Sequence, residues 1–302
     1  MANYYCLMAG LPEVKLTDAR PQHTLLQLKE ELADILEPQD ERLLQRYFLR
    51  FDCENLAELL EAGRRKSPYD IVVDPSKVLP LPEVSGKWNA VALYDQATLK
   101  QFVEDARATD RAVKGFPAFM ADFVRIYDMR QDETKWFVRD AVLLAYYDYA
   151  RQCPNTMMAE WYELNFNILN ILTALIARRQ GWNLADYVQG CGPVVNAILK
   201  QSSQPDFGLG AELDYVQDLM RAAETTDPVD KERQIDALRW NWLEERTFFE
   251  PFDITALFAY IVRTEILERW ALLDPEQGRE RFTEIIENLR GEARVPEEFI
   301  RK

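Results

Sequence analysis

The segments FDCENLAELLEAGRR, residues 51–65, and FNILNILTALIARRQ, residues 166–180, follow one pattern. Each begins with Phe, continues with Asp or Asn, places an Asn three positions later, and then carries apolar residues at helical spacing. The matched positions are Phe51 and Phe166, Asp52 and Asn167, Asn55 and Asn170, Leu56 and Ile171, Leu60 and Leu175, Ala62 and Ala177, and Arg64 and Arg179. Chance agreement of two amphipathic helices is one explanation. The agreement after the Asn favours the other, a duplicated helical domain.

The polar residues of this repeat suit the first turn of a helix. If Asp52 is the N-cap, its carboxylate accepts from backbone N–H groups of the first turn, and Asn55 reaches back as in a capping box. Phe51 and Leu56 then have the spacing of a hydrophobic staple. The second copy repeats this with Phe166, Asn167, Asn170 and Ile171. Helical periodicity also runs through both copies, so kinks within longer helices are the alternative. In either case we expect Asn55 and Asn170 to brace a helix junction, not to bind a ligand.

Helical periodicity covers most of the chain and predicts an all-α fold. Breaks in the pattern divide the chain into three helical domains, with boundaries predicted at 1–100, 101–206 and 207–302. Pro38 marks a turn between two helices, and a long helix is expected from about 156 to 180. The stretch 66–88 holds four prolines and is expected to be irregular. A degenerate third copy of the repeat starts at Phe252; it keeps Asp253 and Leu257 but has Ala256 in place of the Asn.

Composition and charge exclude several classes of protein. A chain of 302 residues with 48% apolar residues can form two or three domain-sized cores. The net charge of −15 lacks the basic footprint that nucleic-acid binding requires. Four widely spaced cysteines without a C-x-x-C pair indicate a reducing compartment. The longest apolar run, 168–177, is shorter than the roughly 18 residues of a membrane helix, so we expect a soluble cytoplasmic protein without a membrane span.

Residues that could form an active site are sparse. His23 is the single histidine, which excludes a His-rich metal site and a di-iron bundle with two Glu-x-x-His motifs. In FGLGAEL, residues 207–213, Leu213 replaces the third glycine of a nucleotide-binding loop. We therefore predict no catalytic, cofactor-binding or metal-binding residues and no cofactor; an enzyme with a carboxylate-based site is a minor alternative. The aromatic stretch RWNWLEERTFFEPF, residues 239–252, is expected to be core, with a partner-binding face as the other interpretation.

The repeated segment resembles the C subunit of V/A-type rotary ATPases, called d in the eukaryotic enzymes. The stretch FDITALFAYIVRTEILERWALL, residues 252–273, is similar to the closing helix of that family. Its matching positions are Tyr260, Arg263, Glu265, Glu268 and Arg269, and Trp270 departs from the usual Asn. The opening YYCLMAGLP (4–12), DFGL (206–209) and RWNWLEERTFFEPFD (239–253) look closer to a divergent bacterial branch, often carried as a family of unknown function beside V-type ATPase genes.

This resemblance implies a funnel of three similar helical domains that does no chemistry. Such a subunit is a socket that couples the central stalk, subunits D and F, to the membrane rotor ring during proton or sodium transport. It would be cytoplasmic and peripheral to the inner membrane through the ATPase complex. The residues of the partner-binding surfaces are not identified by the sequence. The alternative from another class is an unrelated helical-repeat adaptor or regulatory protein.

Overall fold

The computed structural model describes residues 4–64, 89–130, 138–249 and 252–271. Within them the chain forms eleven α-helices and one 3-10 helix and no strand, which confirms the all-α prediction. The helices are α1 (Tyr5–Gly10), α2 (Leu25–Ala33), α3 (Pro38–Arg64), α4 (Gln96–Ala108), α5 (Ala118–Arg130), α6 (Val138–Ala150), α7 (Thr156–Arg179), α8 (Pro193–Lys200), α9 (Val216–Glu224), α10 (Pro228–Thr247) and α11 (Ile254–Ala271). The 3-10 helix spans Leu184–Asp186. The proline-rich stretch 66–88 lies outside the described residues.

Several helices begin at residues whose side chains satisfy free backbone N–H groups of the first turn. Thr24 and Gln27 form a reciprocal capping box at α2. Asp95 accepts from Thr98 N at 2.7 Å, and Asn155 accepts from Met158 N at 3.0 Å. Asp227 caps α10, which also has Pro at its first position. These local signals explain why α7 begins at Thr156, as predicted.

The interpretation of Asp52 and Asn167 as helix N-caps is wrong. Asp52 lies in the middle of α3, which begins at Pro38, and Asn167 lies in the middle of α7, which begins at Thr156. Both helices continue through the repeated segment because their apolar positions keep helical spacing on either side of it. Only in the degenerate third copy does the Phe-Asp pattern lie at the start of a helix, α11. Asp253 precedes α11, and its Oδ1 accepts from Ala256 N at 2.9 Å.

The buried core is one continuous cluster that runs from Tyr4 to Leu267. Helix α6 packs against α3 and α7, and α5 packs between α4 and α6. Helix α11 packs against α2, α7 and α10. The ring of Phe258 on α11 lies 5.3 Å from the ring of Tyr47 and 6.1 Å from that of Tyr162, measured between centroids, so α3, α7 and α11 meet in the core. The predicted division into three domains and the funnel shape stay predictions.

Candidate functional site

The polar residues of the repeat are buried where the fold needs a hydrogen-bond partner. Nine polar side chains are buried in the described part of the chain, and four of them are the polar repeat residues. The nine are Asp40, Asp52, Asn55, Asn165, Asn167, Asn170, Asp236, Thr247 and Thr264. Burial of such groups is unfavourable unless they are hydrogen-bonded. Their partners therefore define the polar junctions of this protein. The apolar repeat residues Phe51, Leu56, Phe166 and Ile171 are also buried and lie in the core cluster.

The first junction fixes the segment 89–94, which leads into α4. The two carboxylate oxygens of Asp52 accept from Leu93 N and Tyr94 N, each at 2.9 Å. Lys29 on α2 donates to the carbonyls of Val91 and Ala92 at 2.8 and 2.7 Å. Side chains of α2 and α3 thus hold the backbone of this short segment in place.

Burial raises the pKa of Asp52 to about 6, and the two backbone N–H groups and Lys29 lower it by less than burial raises it. The side chain of Asp52 is fully inaccessible to solvent. This carboxyl group therefore changes its charge in a mildly acidic range where ordinary aspartates stay ionised.

Asn55 and Asn170 each hydrogen-bond to the backbone of a segment that follows their own helix. Asn55 Oδ1 accepts from Asn89 N at 3.1 Å. Asn170 Oδ1 accepts from Gln189 N at 3.0 Å, and its Nδ2 donates to the carbonyl of the same residue at 3.2 Å. In both copies the amide of a long helix holds the segment that precedes the next helix, α4 or α8. Both long helices also pack against α6.

Other positions of the repeat differ in their contacts. Asn167 Nδ2 donates to the Tyr215 hydroxyl at 3.4 Å, whereas Asp52 binds backbone. The rings of Phe51 and Phe166 each lie under a guanidinium, at 4.7 Å from Arg50 and 4.6 Å from Arg151. Asn55 and Asn170 thus make the same kind of contact, and so do Phe51 and Phe166. Asp52 and Asn167 do not, because Asp52 binds backbone N–H groups and Asn167 binds a side-chain hydroxyl.

The second junction joins α11 to α3. The carboxylate of Glu265, whose side chain is 15% exposed, accepts from the Tyr47 hydroxyl and from Arg50 Nη2, the latter at 2.5 Å. Arg50 also lies 3.9 Å from Glu54 on its own helix. Burial by itself would raise the pKa of Glu265, but Arg50, Tyr47 and Arg269 together lower it below its usual value. Glu265 is thus ionised and paired inside the fold.

The third junction joins α11 to α10 through Asp236, whose side chain is fully buried. Asp236 accepts from Arg239 at 3.0 Å, from Arg269 and from Trp270 Nε1 at 3.0 Å. Arg239 also donates to Asn165 Oδ1 on α7 at 2.9 Å. One carboxylate on α10 thereby holds the end of α11. One of the donors to Asp236 is Trp270, which occupies the position where the rotary-ATPase family usually has Asn.

Between these junctions lies a cleft of about 280 Å³, lined by both apolar and charged side chains. Its charged lining consists of Arg50, Glu54, Glu232, Asp236, Arg239, Glu265 and Arg269. Most of these groups neutralise one another in the pairs described above. These pairs fix α3, α10 and α11 to one another.

Helix α11 carries the residues on which the family resemblance rests, and these residues contact different parts of the fold. Glu265 and Arg269 belong to the second and third junctions. Glu268 Oε2 accepts from Leu25 N at 3.0 Å, at the start of α2. Arg263 lies over the ring of Trp240, 5.4 Å from its centroid, and Tyr260 is buried.

The turn DFGL, residues 206–209, has a structural role. Asp206 accepts from Gly208 N at 3.0 Å and from Gly210 N at 3.2 Å. Gly208 has a φ of 72°, in the left-handed region that favours glycine. The N–H groups that a nucleotide loop would aim at phosphate are therefore already occupied by a carboxylate.

The sequence did not single out Asp236, Arg239 and Asn165. A local signal exists in the spacing of Asp236 and Arg239, which places them on one face of a helix. That spacing is equally common on solvated helix faces, so it does not reveal a buried junction.

Within residues 4–64, 89–130, 138–249 and 252–271, no group of three or more His, Cys, Asp and Glu side chains is arranged to hold a metal ion. In the same ranges, none of the helices has the length and apolar content that crossing a bilayer requires.

Comparison with protein-family models matches residues 1–293 to the family described as "Protein of unknown function (DUF2764)". Neither the curated proteins nor the solved structures contain a match.

Proposed function

This chain belongs to the DUF2764 family, because the model of that family matches residues 1–293. We propose that the protein is a non-catalytic subunit of a V/A-type rotary ATPase or ATP synthase. It acts as a socket between the central stalk, subunits D and F, and the membrane rotor ring during proton or sodium transport. It lies in the cytoplasm at the inner membrane and is held there by the complex.

One observation carries the proposal: α11, the helix on which the resemblance rests, is bonded to three other helices at once. Glu265 binds α3, Arg269 binds Asp236 on α10, and Glu268 binds the first turn of α2. Eleven of its residues are buried. The positions matched to the rotary family are thus used for joining helices, which is the work of a subunit that transmits force.

Buried charge pairs suit the transmission of torque. Removing one member of a buried ion pair typically costs about 3–5 kcal/mol, because the remaining charge is left unpaired in a medium of low polarity. A helix held by such pairs resists sliding along its neighbours. Apolar contacts alone are less directional and restrict sliding less.

The net charge of −15 supports a role in assembly. An acidic body is attracted to basic surfaces, and this attraction mainly raises the association rate. A basic stalk tip or basic loops of a rotor ring would be complementary to it.

The test is assembly with the proposed partners. The chain is co-expressed with the D and F subunits encoded in the same genome and, separately, mixed with the detergent-solubilised rotor ring. Gel filtration with light scattering should show a defined complex, and its association should slow as salt rises from about 0.05 to 0.5 M because charges are screened. Absence of binding to stalk and ring at micromolar concentration, at every salt concentration, refutes the proposal and leaves the helical-repeat adaptor.

Genomic context distinguishes these two functions independently. A rotary subunit should be encoded beside the other ATPase subunits, and an unrelated adaptor should not.

A further inference from the structure

Two adjacent aromatic side chains project from the end of α10. Phe248 is 76% exposed and Phe249 is 87% exposed. Their rings contact each other edge to face, with centroids 5.0 Å apart and an interplanar angle of 87°. In the same aromatic stretch Trp240 and Leu243 are buried, so the core interpretation holds for its first half and fails for this pair.

The chain on both sides of the pair is anchored. Thr247 Oγ1 donates to the carbonyl of Leu243 at 2.7 Å, which secures the last turn of α10. After the pair, the carbonyl of Phe252 accepts from Tyr4 N at 2.8 Å, and its ring lies 4.7 Å from that of Tyr5. The contacts of Thr247 and Phe252 restrict the chain near the pair, which reduces the ordering that binding to a partner requires.

The charge around the pair is acidic. Glu244 and Glu245 are exposed on the last two turns of α10, and the one basic residue there, Arg246, is paired with Glu160. Glu250 follows in the sequence. An acidic border repels the anionic surface of a lipid bilayer, and it equally repels a second copy of itself in a symmetric dimer.

We propose that Phe248 and Phe249 are the anchor of a protein–protein interface and enter an apolar pocket bordered by Lys or Arg on a stalk or ring subunit. This inference rests on the proposed function for the identity of the partner. Exposed Phe pairs are costly to leave in water, and a few buried aromatic anchors supply most of the affinity of many interfaces. The acidic border supplies complementarity to a basic rim.

The test compares Phe248→Ser/Phe249→Ser with the wild type in binding to the co-expressed D and F subunits and to the purified ring. The dissociation constant for one of these partners should rise by about 30-fold or more, mainly through a faster dissociation rate. The melting temperature of the free protein should be unchanged because both rings are exposed. Met129→Ser is the matched control, since Met129 is 77% exposed on α5, and it should bind like the wild type.

A second variant tests the charged border. Glu245→Lys should slow association with the same partner and leave its dissociation rate nearly unchanged. The side chain of Glu245 is exposed, so this variant should fold normally.

The outcomes separate the two proposals. A complex whose dissociation constant is the same for wild type and double variant overturns the aromatic anchor and leaves the proposed function standing. Absence of any wild-type complex overturns both. Flotation with vesicles of phosphatidylcholine and phosphatidylglycerol, or self-association, that is present in the wild type and lost in the double variant would overturn the inference in favour of a lipid or dimer contact.

Discussion

Asp52 shows how one buried side chain makes stability depend on pH. Its carboxylate is inaccessible to solvent and is held by two backbone N–H groups, yet burial dominates and raises its pKa from 3.8 to about 6. The folded state therefore binds a proton that the unfolded state has already released between these values. The contribution of this group to stability is fully present below pH 3.8 and is lost as the pH rises through about 6.

We expect Asp52→Asn to remove this dependence. The free energy of unfolding of the wild type relative to the variant should fall by about 2–3 kcal/mol between roughly pH 4 and 7, since one pKa unit corresponds to about 1.4 kcal/mol. Urea unfolding at several pH values measures the difference. Asp230→Asn, at an exposed position of α10, is the control and should differ from the wild type by the same amount at every pH. A pH-independent difference for Asp52→Asn would contradict the account.

At the scale of elements, the repeated Asn is a brace between a long helix and the segment that follows it. Asn170 makes two hydrogen bonds to Gln189, and its Nδ2 also donates to the carbonyl of Phe166 at 3.2 Å. Asn55 uses its oxygen for Asn89 N, and its buried Nδ2 has no hydrogen-bond partner among the residues that the structure describes. The second brace is therefore more fully satisfied than the first.

We expect Asn55→Ala to lower the free energy of unfolding by about 1–2 kcal/mol and Asn170→Ala by about 2–3 kcal/mol, because each leaves backbone groups unpaired in the interior. Urea unfolding of the two variants measures this order. Asn196→Ala on the exposed face of α8 should lie within about 0.5 kcal/mol of the wild type. Two variants that unfold like the wild type would show that these amides do not brace the fold.

At the scale of the whole molecule, one continuous core opposes division into independently stable parts. The core cluster contains residues of every predicted domain, including Phe51, Phe166 and Phe258. Helix α11, near the end of the described residues, bonds to α2 and α3 near its start. Loss of one region would therefore expose apolar surface in the others.

We expect unfolding in urea to be a single transition in which the far-ultraviolet circular dichroism and tryptophan fluorescence curves coincide. Four of the seven tryptophans, Trp161, Trp240, Trp242 and Trp270, lie on α7, α10 and α11, so fluorescence is weighted toward these helices, whereas circular dichroism reports on all helices. Two separated transitions would instead favour three domains divided near 100 and 206.

The sequence by itself determined the helical class and many helix boundaries. Capping and helix termination depend on residues within about four positions, so local patterns such as Asn155 before α7 and Gly181 after it are sufficient. The turn at Pro38 follows from the same local chemistry. The sequence also indicates that Asn55 and Asn170 need hydrogen-bond partners, because each is a polar residue on an apolar helix face.

Tertiary structure alone decided which partner each buried polar group has. The same Phe-Asp pattern lies inside α3 at Asp52 and starts a helix at Asp253, because packing on both sides extends α3 through it. Asp52 binds backbone 41 and 42 residues away, and Asp236 binds Arg269 on another helix. Such distant pairs depend on how helices pack, and neither propensity nor periodicity encodes that. The exposure of Phe248 and Phe249 also depends on tertiary structure. From sequence alone, an aromatic residue at helical spacing is expected to be buried, and only the packing of the helices shows that these two are not.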